Sequence, residues 1–231
     1  MADDMSVKQL PLTIIVAATP KNGIGINGCL PWPMLKKEMA YFARVTKRVL
    51  MPANTGSVQS DAWKQTNLER ARKNVVIMGR KTWESIPPEF RPLKDRTNVV
   101  ISTQDRTKLD SVPDDVVVAS DILSGLEALE QRVKDGQALP VGRAFVIGGS
   151  SIYRTALELP QTKSVLLTRI RKDFECDTFF PQDLGKAGSD WQRSSREGLE
   201  IFVGEQIPNE VLPEGEGEDS TSYEFQLYER S

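Results

Sequence analysis

The sequence contains no histidine. That absence excludes His-based zinc sites and every Ser-His-Asp or Cys-His nucleophile. Proton transfer near neutral pH is then left to a perturbed carboxylate, Tyr, Lys, Cys or water. Cysteine is scarce: Cys29 and Cys176 are the two in the chain. They make a poor metal set, so no metal is expected. They fit a reducing compartment, with a single disulfide left open. The longest apolar stretch, near Ile14–Ala18, is far too short to span a bilayer. The first ten residues carry Asp3 and Asp4 and do not read as a signal peptide. No basic tract with interleaved aromatics occurs, and the net charge is −2. The expectation is a cytoplasmic monomer with no membrane and no nucleic-acid partner.

What is present is ordinary for a globular chain. Apolar residues make up 39% and charged residues 27% of 231 positions, enough for one compact domain. Short β-branched runs predict strands at Leu12–Ala18, Val75–Met78, Asn98–Ser102, Val116–Ala119, Ala144–Ile147, Val165–Thr168 and Tyr223–Tyr228. Helical spacing lies between them. Leu35, Met39 and Phe42 form one stripe, opened by Pro33. Ile122, Leu126, Leu129 and Val133 form a second, with Ser120 as N-cap. Ile152, Ala156 and Leu159 form a third. The alternation predicts a single α/β domain with a mostly parallel sheet, an antiparallel C-terminal hairpin and helices on both faces. Two stretches read as insertions on the surface: basic 47–74, and acidic 205–219 with six acids and no base.

Three motifs carry chemistry. Gly23-Ile24-Gly25-Ile26-Asn27-Gly28 matches the dinucleotide fingerprint G-x-G-x-x-G. However, Leu30-Pro31-Trp32-Pro33 follows, and two prolines prevent the helix that a Rossmann turn needs. The stretch reads instead as a flexible glycine loop, either a plain turn or a flap over a ligand. Glu38 lies on or beside the apolar stripe of its helix, so it should lose hydration and its pKa should rise. The competing reading is a buried acid paired with a cation. Finally, Gly79-Arg80-Lys81-Thr82 and Gly148-Gly149-Ser150-Ser151 both follow apolar strands. Each offers amides, small residues or cations suited to a phosphate. Either alone is a weak signal; together they suggest a dinucleotide lying across strand carboxyl ends.

These pieces, in this order, resemble dihydrofolate reductase. The matching stretches are Ile14–Ala17, Gly23-Ile24-Gly25, Leu30-Pro31-Trp32-Pro33, Glu38–Phe42, Val76–Pro87, Arg91-Pro92-Leu93 with Arg96, Val146–Tyr153, and Leu167–Ile170 with Asp177–Pro181. They cover most of the chain outside the two insertions. The resemblance implies an eight-stranded sheet, NADPH as cofactor, and dihydrofolate and antifolates as ligands. It implies reduction of 7,8-dihydrofolate to tetrahydrofolate in support of one-carbon metabolism. Glu38 would hold the pterin through its 2-amino group and N3. Thr168 would orient Glu38, Trp32 would hold a water, and that water would relay a proton to N5. Ile15, Val16, Ala17, Leu30, Met39, Phe42, Ser85, Ile86, Leu93, Ile147 and Tyr153 would line the folate pocket, with Arg96 clamping the glutamate α-carboxylate.

For the cofactor, the same resemblance implies contacts from Ala17, from the flap Gly23, Ile24, Gly25, Ile26, Asn27, Gly28 and Cys29, and from Ile147 and Tyr153. Gly79, Arg80, Lys81 and Thr82 would hold phosphates. Arg80 with Ser102, Thr103 and Gln104 would read the 2′-phosphate. Gly148, Gly149, Ser150, Ser151 and Ile152 would carry the diphosphate across a cis Gly-Gly peptide. There are departures from the family pattern. Met39 stands where relatives often have an aromatic or aliphatic residue, and Cys29 replaces a common acid. Thr103 and Gln104 offer no second cation, leaving NADPH preference to Arg80. Rival readings are a pyrimidine reductase of riboflavin synthesis, a short-chain pteridine reductase, and a non-catalytic ligand- or RNA-binding member of the same fold. The Leu-Pro-Trp…Glu pairing with Arg96 argues against the first. The second needs a Tyr followed four residues on by Lys, which the chain lacks. Intact Glu38, Thr168 and both phosphate turns argue against the third.

Overall fold

The computed structural model describes residues 6–50, 72–109, 111–186, 188–208, 211–215 and 220–230. All seven predicted strands form: β1 (Leu12–Ala18), β3 (Lys73–Gly79), β4 (Thr97–Ile101), β5 (Val117–Ala119), β6 (Val141–Gly148), β7 (Thr162–Ile170) and β11 (Thr221–Glu229). Short strands fill the gaps in this numbering: β2 (Gly23–Gly25), β8 (Thr178–Phe179), β9 (Gln192–Arg193) and β10 (Leu212–Glu214). The main sheet has the order β10-β11-β7-β1-β6-β3-β4-β5, with β9 added to β11. The pairs from β7 to β5 are parallel, while β11 runs antiparallel to both β7 and β10.

Side chains alternate across the sheet, and helices cover both faces. The helices are α1 (Lys36–Lys47), α2 (Arg80–Ser85), α3 (Ile122–Lys134), α4 (Ser150–Glu158) and α5 (Arg196–Val203). Leu12, Ile14, Val16 and Ala18 of β1 pack with α3 and α4. Ile15 points the other way, toward α1, Trp83 of α2, and α5.

Several expectations shift. The second predicted helix, α3, is capped by Asp121 rather than Ser120, because the Asp121 carboxylate is one residue nearer the free amides: Ser124 N donates to Oδ1 at 2.9 Å. The first helix opens at Lys36, three residues after Pro33, and its buried residues are Glu38, Tyr41, Val45 and Thr46; of the predicted stripe, Leu35 is buried just before the helix, Phe42 is half-buried and Met39 is exposed. Leu159 lies past the end of α4. Helix α5 adds to the predicted set, and its signals are local: Ser195 accepts from Gly198 N, Leu199 and Val203 are one turn apart, and Gly204 ends it in the left-handed region.

The 205–219 stretch is not simply a solvated loop. Glu205 pairs with Arg44 and Arg48 at 3.0 and 2.9 Å, Ile207 is buried, and 212–214 is strand β10. Most of the 47–74 stretch lies outside the described residues, but its end does not. Asn74 is fully buried in β3, donating to Thr46 O and Arg48 O at 3.0 and 2.8 Å while its Oδ1 accepts from Arg143 N at 2.9 Å. It ties the carboxyl end of α1 to the sheet.

Replacing Asn74 with Ala strands three backbone groups out of water. The expected loss is about 2–4 kcal/mol, seen as a lower urea midpoint with unchanged slope. A loss below about 0.5 kcal/mol would contradict that anchoring role.

Candidate active site

Glu38 is the third residue of α1 and is 8% exposed. Its helix lays it against β7, where the buried Thr168 hydroxyl donates to Oε1 at 3.0 Å. Burial pushes its pKa up to about 7 from an ordinary 4.5; the Thr168 hydrogen bond pulls it down, and nearby Glu214 adds to the rise. Among the described residues, no cation pairs with it, in contrast to the competing reading. Trp32 and Leu35 are buried beside it in a small cluster with Ile170 and Tyr223, against which Ala17 packs.

Register brings the two halves of the site together. Thr168 is the partner of Ala17 in the β7–β1 ladder. Two residues earlier on β1, the Ile15 carbonyl accepts from the Tyr153 hydroxyl at 2.9 Å. The Tyr153 ring lies under the Gly148-Gly149 turn, where a Cβ on Gly148 would stand 3.3 Å from its oxygen. Tyr153 is therefore buried support for that turn, with its hydroxyl already used. The Gly148-Gly149 peptide is cis, as the family resemblance implies.

The two phosphate-type turns adjoin, because β3 and β6 are neighbours and Met78 pairs with Gly148. A Cβ on Gly148 or Gly149 would lie 3.4 Å from Thr82 Oγ1, and one on Gly79 would lie 2.9 Å from Ile152 Cγ1. At Gly79 the close approach itself calls for glycine, whereas at Gly148 the positive φ of 122° does. The helix at the first turn starts at Arg80, with Gly79 as N-cap. Arg80 is engaged with Glu84, at 3.0 and 2.8 Å. Ser102, Thr103 and Gln104 follow β4 in a depression shared with Arg106 and Arg132. No motif in the sequence points to these two cations. Arg106 donates to Val116 O at 2.8 Å and Arg132 to Asp114 O at 3.0 Å.

The glycine-rich stretch is a hairpin, not a loose loop. Its first strand, β2, runs antiparallel to β8. Asn27 and Gly28 both take positive φ, and Ile26 bridges Cys29 across them. An Asn-Gly pair at these positions is a hairpin turn with a matching twist. The hairpin is tied down by Asn27 N to Asp177 Oδ2 at 2.7 Å, and β8 is tied to the diphosphate-type turn by Ser150 Oγ to Phe179 O at 2.6 Å. Lys81 and Ser151 are exposed at the starts of their helices, and Cys29 is exposed in the hairpin.

The remaining candidates divide by face. Ile15, Phe42, Ile86, Leu93 and Ile147 pack in the cluster beneath α1. Val16 does not join them: strand alternation turns its side chain to the opposite cluster, with Ile24 and Ile152. Ser85 spends its hydroxyl on Thr82 O at 2.7 Å. Leu30 and Met39 are exposed, at 52% and 44%. Arg96 is no surface arginine. It is buried, donates to Thr46 Oγ1 at 2.8 Å and Lys94 O at 3.0 Å, and has its guanidinium 5.9 Å from the Phe42 ring centroid. Among the described residues, no helix is long and apolar enough to cross a membrane.

A mostly parallel sheet with glycine turns at two adjacent carboxyl ends defines an α/β domain of the kind that receives ligands at those ends. The family model for dihydrofolate reductase matches residues 63–206. The chain is 36% identical over 224 residues to the dihydrofolate reductase of Heliothis virescens, covering 97% of this chain and all of that one. It is 38% identical over 226 residues to that of Schizosaccharomyces pombe, covering 94% of this chain but only 46% of the relative. Among solved structures, Schistosoma mansoni dihydrofolate reductase superposes with a TM-score of 0.67 at 26% identity, covering 96% of this chain and 99% of that one. The chain belongs to the dihydrofolate reductase family.

The raised pKa of Glu38 has a consequence for stability. Between about pH 4.5 and 7 the folded protein keeps a proton that the unfolded chain has released, so this group's contribution falls as pH rises through that window. Glu38→Gln, which cannot ionise, is expected to match wild type near pH 4 and exceed it by roughly 2–3 kcal/mol at pH 8. Urea titrations at both pH values measure this; equal stability at pH 8 would mean the carboxyl is not kept from water.

Proposed function

We propose that this chain catalyses NADPH-dependent reduction of 7,8-dihydrofolate to 5,6,7,8-tetrahydrofolate, with Glu38 as its one active-site acid. The observation that carries this is the buried Glu38 carboxyl, tethered by Thr168 one strand from the adjoining glycine turns. NADPH, when bound, supplies the hydride that passes from nicotinamide C4 to pterin C6.

The protein's own part is positional and electrostatic. Glu38 receives the pterin 2-amino group and N3, and Thr168 fixes which way the carboxyl faces. A carboxyl that titrates near neutrality keeps a proton in the site at working pH and favours protonation of N5 through a water beside Trp32. Ile15, Phe42, Ile86, Leu93 and Ile147 supply apolar walls, and Leu30 and Met39 line the mouth. Arg96, held by Thr46 and Lys94, presents the rest of its guanidinium as a fork to the substrate carboxylate.

The residues present fit the cofactor. The positive φ of Gly148, 122°, suits glycine alone, and the absence of side chains at Gly148 and Gly149 lets the backbone meet a diphosphate closely. Arg80, Lys81, Ser102, Thr103 and Gln104 surround the 2′-phosphate, and Arg80 would exchange Glu84 for it. The Gly23–Cys29 hairpin covers the nicotinamide end, where Ala17 and Ile24 make contact.

Loss of NADPH absorbance on adding dihydrofolate tests the activity. The hydride-transfer rate should fall about tenfold per pH unit above roughly pH 7. Glu38→Gln should cut it about 100-fold or more at pH 7 and flatten the profile; near-normal rates from pH 5 to 9 would remove Glu38 from this role. Arg80→Ala should raise KM for NADPH by about tenfold and leave that for NADH nearly unchanged. Equal effects on the two cofactors would assign Arg80 elsewhere.

A further inference from the structure

We propose that Glu214, from the acidic stretch before β11, is a positioning residue for Glu38: it closes the amino end of α1 and holds a second negative charge beside the active-site carboxyl. The proposal deepens the reading of Glu38 as the acid of the reaction and rests on it.

The first observation is a missing cap. Helix α1 opens after Leu35, whose backbone is extended and whose side chain has no acceptor for the first-turn amides. The sequence around it offers none, since Pro33, Met34, Leu35 and Lys36 hold no hydroxyl, amide or carboxylate. The acceptor arrives from 177 residues away: Lys37 N donates to Glu214 Oε1 at 2.8 Å. The second Glu214 oxygen accepts from the Tyr223 hydroxyl at 3.0 Å. Tyr223 is fully buried and packs edge-on to Phe225, which stacks on Tyr41 of α1 at 3.7 Å between ring centroids. The antiparallel pairing of Leu212–Glu214 with Thr221–Tyr223 sets the carboxylate at this height.

The second observation is where Glu38 sits. It is in the first turn of α1, where free amides and the helix dipole favour the anion and would draw its proton away. Glu214 occupies one of those amides and adds an opposing charge. Among the described residues, the titratable groups facing Glu38 are Glu214 and the phenols of Tyr41, Tyr153 and Tyr223, and burial raises the pKa of each phenol, so all three stay neutral. Of these, Glu214 is the charge that biases Glu38 toward its protonated form. The described groups facing Glu214 itself are the Lys37 amide, the Tyr223 hydroxyl and Glu38.

The test compares Glu214→Gln, which keeps an oxygen for Lys37 N–H but loses the charge, with Glu214→Ala, which loses both. The Glu38 titration is followed by carboxyl carbon NMR on the full-length protein without ligands, its resonance assigned by loss in Glu38→Gln. In Glu214→Gln the midpoint should move down, so that the protonated fraction at pH 8 drops about two- to fourfold. Hydride transfer at pH 8 should drop by the same factor and stay at the wild-type level below pH 6. Glu214→Ala should show the same displacement plus a Tm lower by about 2–4 °C; if it does not fold, Glu214→Gln decides. An unmoved Glu38 midpoint in Glu214→Gln overturns the proposal and leaves Glu214 a plain cap. A midpoint that moves while the rate profile stays fixed upholds Glu214's hold on Glu38 and counts instead against Glu38 as the acid.

Discussion

The structure depends on one contact, the Thr168 hydroxyl donating to a carboxyl that water barely reaches. A buried acid without a cation is expensive when ionised, so the environment decides how long it keeps its proton. Here the two effects oppose each other. Desolvation raises the proton affinity, while the hydrogen bond from Thr168 stabilises the anion and limits the rise. The result is a group near its midpoint at neutral pH, which is where an acid–base catalyst works best. In a chain with no histidine, that balance has to be built from burial rather than from choice of side chain.

The same contact explains how the scaffold is arranged around it. Thr168 has a fixed height because β7 runs parallel to β1 with Ala17 as its partner, and Ile15, two residues back on β1, carries the hydrogen bond that holds Tyr153 under the glycine turn. The carboxyl and the turn are thus referred to one strand, and a displacement of β1 would move both. The β3–β6 pairing then sets Thr82 against the twin glycines. Rigid strands fix these positions within the narrow tolerance that a reacting pair of ligands needs. Asn74 serves the same end from below, locking the last turn of α1 to β3 so that the helix bearing Glu38 cannot slide.

Much of this is legible in the order of the residues. Buried strands announce themselves as apolar runs, and all seven predicted strands lie where β-branched residues cluster. Glu38 stands out because a charge near an apolar stripe is a local anomaly. What stays hidden is either too short or too distant. Strands β2, β8, β9 and β10 have two or three residues each, and none carries the apolar run that marks the equally short β5. The Asn27-Gly28 turn is readable in principle, but the prolines that follow it say only that no helix opens there. Val16 falls on the face opposite Ile15 and Phe42 because a motif match carries no information about faces, whereas alternation along β1 does. Arg132 and Glu214 cannot be found from spacing, since each is brought to its place by tertiary packing, and Arg106, two residues after Gln104, belongs to no motif that marks it.

Glu214 shows why the acidic stretch reads so poorly as sequence. Six acids without a base look like solvated surface, and composition has no means of singling out Glu214, whose two oxygens accept from Lys37 N and the Tyr223 hydroxyl. A side-chain cap is a local feature in most helices, supplied by the residue just before the first turn. Where prolines and apolar residues occupy that position, as they do before α1, the acceptor must come from elsewhere in the chain or the helix end stays open. In this fold the leader before α1 is occupied with Trp32 and Leu35, which are buried with Ile170 and Tyr223. A polar cap at those positions would have to sit inside that apolar cluster. Supplying the cap from β10 resolves the conflict: the segment nearest the acid stays apolar, and the charge that completes the helix arrives across the sheet edge.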